Sequence, residues 1–337
     1  MRWVILAVGL AAFALALRNT DLDRTGSLIA ATGPLLLVCL LPYLVQIGFD
    51  SASWNTLLEA LGRRVRWRRL FRIRLATEAV LMSMPAGGLV GESLKPYLLR
   101  RTDNVPAAQT VASIGIKKCV LVAAEAVYLG SAFVLGYSLL SAHSEQLIGT
   151  SGLPWLVLGG VVFLLLVAGL LSLAFVAGSV GDRVYRGLAR IPIKSLRAWL
   201  DGERASFSAT DSAFATIARS SRLRLLVSFL FMVAAWFTEA GETYLLLLVI
   251  GVDLPVLYVL TMEAVVVFTR NLAFFVPAGL GVQDAGYLAF LGAFGVDTTA
   301  SAPAFVLLKR GKELVWIAAG YFLFLRLTRL ETGLNHS

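Results

Sequence analysis

Apolar runs about as long as a bilayer is thick restrict this chain to one kind of fold. They lie near residues 3–17, 27–49, 105–140, 153–177, 223–250 and 302–328. In hydrocarbon every backbone N–H and C=O must bond internally, so runs of this length read as membrane-crossing helices. Only 15% of the residues are charged, against about 25% in soluble domains. No stretch is long and polar enough to form a separate soluble domain. The expected fold is all-α: a polytopic helical membrane protein, one transmembrane domain over residues 1–337. Met1 to Leu17 has some features of a signal peptide, but a second apolar run follows directly, and an uncleaved first span is the preferred reading. The net charge of +9 fits Lys and Arg gathering in cytoplasmic loops rather than a nucleic-acid partner. Cys39 and Cys119 both fall in expected spans, which argues against a disulfide framework. No His/Cys/Asp cluster has metal-ligand spacing and no Gly-rich nucleotide loop is present, so neither a metal nor a cofactor is expected.

Two apolar regions, 70–99 and 255–295, are interrupted by the same string. The first reads Pro85-Ala86-Gly87, then Val90 and Glu92; the second reads Pro277-Ala278-Gly279, then Val282 and Asp284, 192 positions later. A cation pair follows 32 and 33 residues after each proline: Lys117-Lys118 and Lys309-Arg310. Proline breaks a helix, and glycine lets backbones approach closely. Each arm of the first region spans only about 22 Å at helical rise, short of the ~30 Å hydrocarbon core, so that region reads as a re-entrant hairpin. The second has a longer first arm and is either re-entrant or fully spanning. The breaks are assigned to Pro85, Gly87, Gly88, Pro277, Gly279 and Gly281.

Loop charge sets the expected orientation. The loops 50–74 and 181–224 and the tail are rich in Arg and Lys, whereas 141–152, 251–254 and 295–301 have none. The first group is read as cytoplasmic, which places both termini inside. The first hairpin then opens to the cytoplasm and the second to the outside. The two repeats, about 70–140 and 255–328, are therefore expected to be inverted, the arrangement that alternating-access carriers use around a mid-bilayer site. Between them lies a basic cytoplasmic loop, 181–222, in which 188–207 reads equally as a cationic interfacial helix or as a solvated connecting stretch.

Fifteen ionisable residues fall inside the apolar regions. Facing lipid, they would cost roughly 40 kcal/mol at 2.5–3.5 kcal/mol each. Most must face one another or water, so the interior is expected to hold a polar, hydrated cavity. Lys117, Lys118, Lys309 and Arg310 are candidates for holding an anionic group, with internal ion pairing as the alternative. Half-helices starting after the breaks would aim free N–H groups at the same anion. Glu92 and Asp284, near those starts, read as helix caps or as counter-ions that release the ligand. Arg270 offers a further phosphate contact. Glu239 and Glu242, three apart on one helix, suit pairing with cations better than acid–base catalysis.

The string Phe275-Val276-Pro277-Ala278-Gly279-Leu280-Gly281-Val282-Gln283-Asp284-Ala285-Gly286-Tyr287, with Leu308-Lys309-Arg310 downstream, resembles the signature of the lysylphosphatidylglycerol synthase transmembrane, flippase-like family. It is most similar to the branch associated with hopanoid biosynthesis. Ala278 stands for the family's glycine and Asp284 for its glutamate. The resemblance implies a bacterial inner-membrane protein that moves a lipid or lipid-linked substrate between leaflets. Its expected partners are membrane lipids, phosphate-bearing or polyprenyl-linked, and possible lipid-biosynthesis enzymes. No segment corresponds to the aminoacyl-transferase domain of larger members, so an enzymatic role is not expected. The alternatives are a membrane enzyme using Glu239 and Glu242, or an accessory scaffold of a lipid-synthesis complex.

Overall fold

The computed structural model describes residues 2–84, 87–177, 180–191, 194–219 and 222–329. Among these residues the chain is helices joined by short connections, with no strand. The first half runs α1 (Arg2–Ala16), α2 (Leu22–Thr32), α3 (Leu35–Val38), α4 (Leu41–Ala60), α5 (Trp67–Ser83), α6 (Gly87–Asp103), α7 (Ala107–Ala142), α8 (Ser144–Ile148) and α9 (Leu153–Val176). The second runs α10 (Val180–Ala189), α11 (Lys194–Ala218), α12 (Arg222–Val249), α13 (Val256–Leu272), α14 (Val282–Ala293) and α15 (Ser301–Arg329).

Four described segments are long and apolar enough to cross a membrane: Leu35–Ala60, α7, α9 and α12. Leu165, Leu166, Leu170 and Leu173 of α9 are each more than half exposed, as lipid-facing residues should be. The helices at 2–16 and 301–329 stand where spans were expected. The first has only 15 residues, and the second is interrupted by Lys309, Arg310, Lys312 and Glu313.

The second expected span, 27–49, is wrong in register. Gly33 (φ +50°) and Pro34 end α2 early, and α4 continues to Ala60, ending just before Gly62 (φ +74°). This moves Asp50 from a loop to the middle of a membrane helix, where it is buried. The expected 50–74 loop shortens accordingly, and Arg68, Arg69, Arg72 and Arg74 fall on α5. The loop expected over 181–222 is largely the two helices α10 and α11. Of the stretch 188–207, Ile193 lies outside the described residues, and a chain turn near Arg190 divides the rest. On α11, Ala213, Phe214 and Ile217 form a one-face stripe buried against Leu57 and Ile116.

The described residues include the second of the two expected breaks and both flanks of the first. Pro85 lies outside the described residues; on either side α5 and α6 pack against each other as a hairpin, with Gly87 and Gly88 opening α6. In the second, a 3-10 turn at Pro277–Gly279 separates α13 from α14. The order α5–α6–α7 is matched by α13–α14–α15 near the same offset. The packing is reciprocal as well: α15 lies on α5, and α7 lies on α13. Both contacts use a glycine, as close membrane packing requires. A Cβ on Gly320 would sit 2.6 Å from the Leu75 carbonyl oxygen, and one on Gly136 would sit 2.3 Å from Thr261 Oγ1. The helices α4 and α12 share an extensive contact.

Ala278 adopts φ +47°, ψ +22°, a left-handed conformation that costs an L-residue about 1–2 kcal/mol. Replacing Ala278 by glycine should therefore raise the thermal unfolding midpoint of the detergent-solubilised protein, by the equivalent of about 1 kcal/mol after glycine's entropy cost. A lowered midpoint would show that the methyl group makes a needed contact.

Candidate functional site

A charge inside a helical bundle must be matched, and here the matching defines the site. From α4, Asp50 accepts from Lys117 Nζ of α7 at 2.6 Å and from Arg74 Nε of α5 at 3.0 Å. Arg74 also pairs with Glu78, one turn along its own helix. Trp54, one turn below Asp50, lies beneath two ammonium groups: Lys95 and Lys117 each stand 5.8 Å from its ring centre. Glu92 of α6 binds Lys95 at 2.6 Å and Lys118 at 2.7 Å.

The other half repeats part of this scheme. Arg310 grips Asp284 through two nitrogens at 2.8 Å and reaches Glu313 at 2.6 Å and the Ala278 carbonyl at 3.0 Å. Asp284 also accepts from the Gly281 backbone N–H at 2.8 Å, capping α14. Lys118–Glu92 and Arg310–Asp284 thus join matched positions of the two strings. Lys309 instead binds Glu263 at 2.8 Å and Thr243 Oγ1 at 2.6 Å, and Tyr287 donates to the same carboxylate at 2.9 Å. Lys312 pairs with Glu242, and Arg270 pairs with Glu239 at 3.0 Å. Glu239 and Glu242 therefore serve different cations despite sharing a helix. Gln46 donates to Glu239 at 3.1 Å, and Asn271 donates to Glu125 at 2.8 Å.

Between the halves lie two confluent cavities of about 200 and 490 Å³. They share Asp50, Arg74, Glu78, Trp236, Arg270 and Asn271. The smaller adds Tyr43, Gln46, Glu239 and Glu313. The larger adds Glu92, Lys117, Lys118 and Glu125, and it ends on an apolar wall of Phe163 and Val167 from α9, Phe268 from α13, and Phe274 from the segment after α13. Of the residues singled out in the sequence, Lys117, Lys118, Arg270, Glu92, Glu239 and Gly279 line this space. Lys309, Arg310, Asp284 and Glu242 line neither cavity. The expectation that both cation pairs face one chamber is thus corrected: Glu263, Thr243 and Tyr287 enclose Lys309, which is 3% exposed. Arg310 is turned toward Asp284 and the 277–279 turn.

Sequence reasoning missed Asp50, Arg74, Asn271, Gln46 and Trp236. Asp50 had a usable signal. It precedes Glu242 by the same 192 positions, and Ser51 precedes Thr243 likewise.

A family model described as "Lysylphosphatidylglycerol synthase TM region" matches residues 2–320. No curated protein matches the chain.

Removing one partner of a buried ion pair costs about 3–5 kcal/mol, whereas replacing both by apolar groups is often neutral. Glu263→Met should destabilise the protein by that amount, and the double variant E263M/K309M should recover most of it in thermal unfolding. A single substitution costing under about 1 kcal/mol, the range of exposed pairs, would mean that water reaches Lys309.

Proposed function

Since the chain belongs to the lysylphosphatidylglycerol synthase transmembrane-region family, whose members act in lipid metabolism or transport, we propose that it moves a phosphate-bearing lipid headgroup between membrane leaflets. One observation carries this reading: a charged, polar cavity inside an apolar helical bundle, ending on an apolar wall. A headgroup requires polar surroundings to cross the bilayer, and its tails do not. The cavity meets the first need with Lys118, Arg74 and Arg270. The wall of Phe163, Val167, Phe268 and Phe274 meets the second, and Phe274 is 70% exposed.

Among the cavity cations, Lys118 is the best placed to exchange partners. Its side chain is 43% exposed, and releasing it leaves Glu92 still bound to Lys95. A lipid phosphate can then take the place of the carboxylate at Lys118, and the carboxylate can later reclaim it. The two matched halves would act as inverted units around the cavity, exposing it to each leaflet in turn. In this reading the protein sits in the inner membrane with both termini cytoplasmic, Arg-rich segments inside. Glu239 and Glu242 are each occupied by a cation of their own, which weighs against an enzyme built on that pair.

In vesicles containing the purified protein, a fluorescent phospholipid should lose its inner-leaflet protection from a membrane-impermeant quencher. Lys118→Gln should slow this exchange by about tenfold, the effect of one lost charge-assisted hydrogen bond, without lowering thermal stability. Exchange at the rate of protein-free vesicles would reject the translocase, and unchanged exchange in K118Q would reject Lys118 as the phosphate contact.

A further inference from the structure

Pairing in the bundle interior leaves one carboxylate over. The described interior residues joined in the contacts above include nine acids and eight bases. Eight of the acids touch a cation. Glu125 does not: its partner is the neutral Asn271 amide, and no cation lies within ion-pair distance of it among the described residues. It is 4% exposed and lines the larger cavity. An unmatched buried carboxylate is costly, and a ligand in the adjoining cavity can supply the missing charge.

The surroundings favour an organic cation. Trp236, Phe163 and Phe268 line the same cavity, and aromatic faces with a carboxylate are the recognition chemistry of ammonium groups. Of the six acids that line the cavity, Asp50, Glu78, Glu92, Glu239 and Glu313 each touch a cation, and Glu125 is the sixth. The unmatched group of this lining is thus the one carboxylate of Glu125, which an ammonium can balance and a purely anionic headgroup cannot. Lys118, Leu121, Val122 and Glu125 all line the larger cavity, and their spacing of i, i+3, i+4 and i+7 puts them on one face of α7. Lys118 and Glu125 stand two turns apart, about 10.5 Å by helical rise. A zwitterion can lie between them, phosphate to Lys118 and ammonium to Glu125.

We propose that Glu125, oriented by Asn271, is the ammonium subsite of the cavity, and that the headgroup it accepts is zwitterionic: a phosphate carrying an amine. The assignment rests on the translocase reading for the ligand being a lipid, and it narrows the phosphate-bearing headgroup of that reading to a zwitterion.

The test uses the purified full chain in detergent with two soluble probes, dihexanoyl phosphatidylethanolamine and dihexanoyl phosphatidylglycerol, and reads equilibrium binding by calorimetry. Wild type should bind the ethanolamine lipid about tenfold more tightly, the equivalent of one matched charge. Glu125→Gln should erase that preference by weakening the ethanolamine lipid alone, Glu125→Asp should keep part of it, and K118Q should weaken both lipids. Equal binding of the two lipids by wild type, binding of neither, or an intact preference in E125Q overturns the subsite. Transport is scored separately in vesicles. A preference for ethanolamine without exchange sinks the translocase and leaves the subsite, whereas exchange with equal headgroup binding does the reverse.

Discussion

Charges in a hydrocarbon slab must find partners, and the architecture follows from where those partners are. Asp50 ties α4 to α5 and α7 through Arg74 and Lys117. Glu263 ties α13 to α15 through Lys309, with Thr243 of α12 and Tyr287 of α14 completing the shell. Asp284 ties α14 to α15. Helices outside these links, such as α9 with its exposed leucine-rich side, are free to meet lipid. Apolar packing between membrane helices has little hydrophobic driving force, so polar links and close glycine contacts help set which helices meet.

The two halves use this constraint differently. In the second, Lys309 is closed into a shell of three residues, Glu263, Thr243 and Tyr287, and reads as structural. In the first, Lys117 and Lys118 remain at the cavity edge, and Lys118 is nearly half exposed. The broken helices contribute as well: residues of the 277–279 turn border the larger cavity through Ala278 and Gly279. Arg310, held by Asp284 and bonded to the Ala278 carbonyl, braces that turn. The asymmetry concentrates exchangeable charge on one side of the cavity, while the other side is fixed.

Much of this was legible in the residues. The Pro-Ala-Gly strings marked helix breaks, because proline has no place in a helix interior, and the second cation of each pair does reach the acid that follows its string. The position of Asp50 was not legible from hydropathy. A single acid at the end of an apolar run looks like the start of a loop, and only the Gly33-Pro34 break shows that the helix begins later. Nor could helical spacing tell which member of a cation pair faces open space. Lys117 and Lys309 hold matched positions, yet their acids come from different places, Asp50 on α4 and Glu263 on α13. Glu125 is one of the fifteen ionisable residues of the apolar regions, and only its contacts reveal that it is the unmatched one.

The account stands or falls on the space between these helices holding water at membrane depth. Leu121 lines both cavities, and the native Cys39 and Cys119 are buried. The direct measurement is the reactivity of Leu121→Cys toward a charged, water-soluble thiol reagent in sealed vesicles, with Leu129→Cys in the packed core as reference. Labelling at position 121 with none at 129 is the predicted result. Equal protection at both positions would mean a dry interior in which every charge is structural, and no headgroup could pass through it.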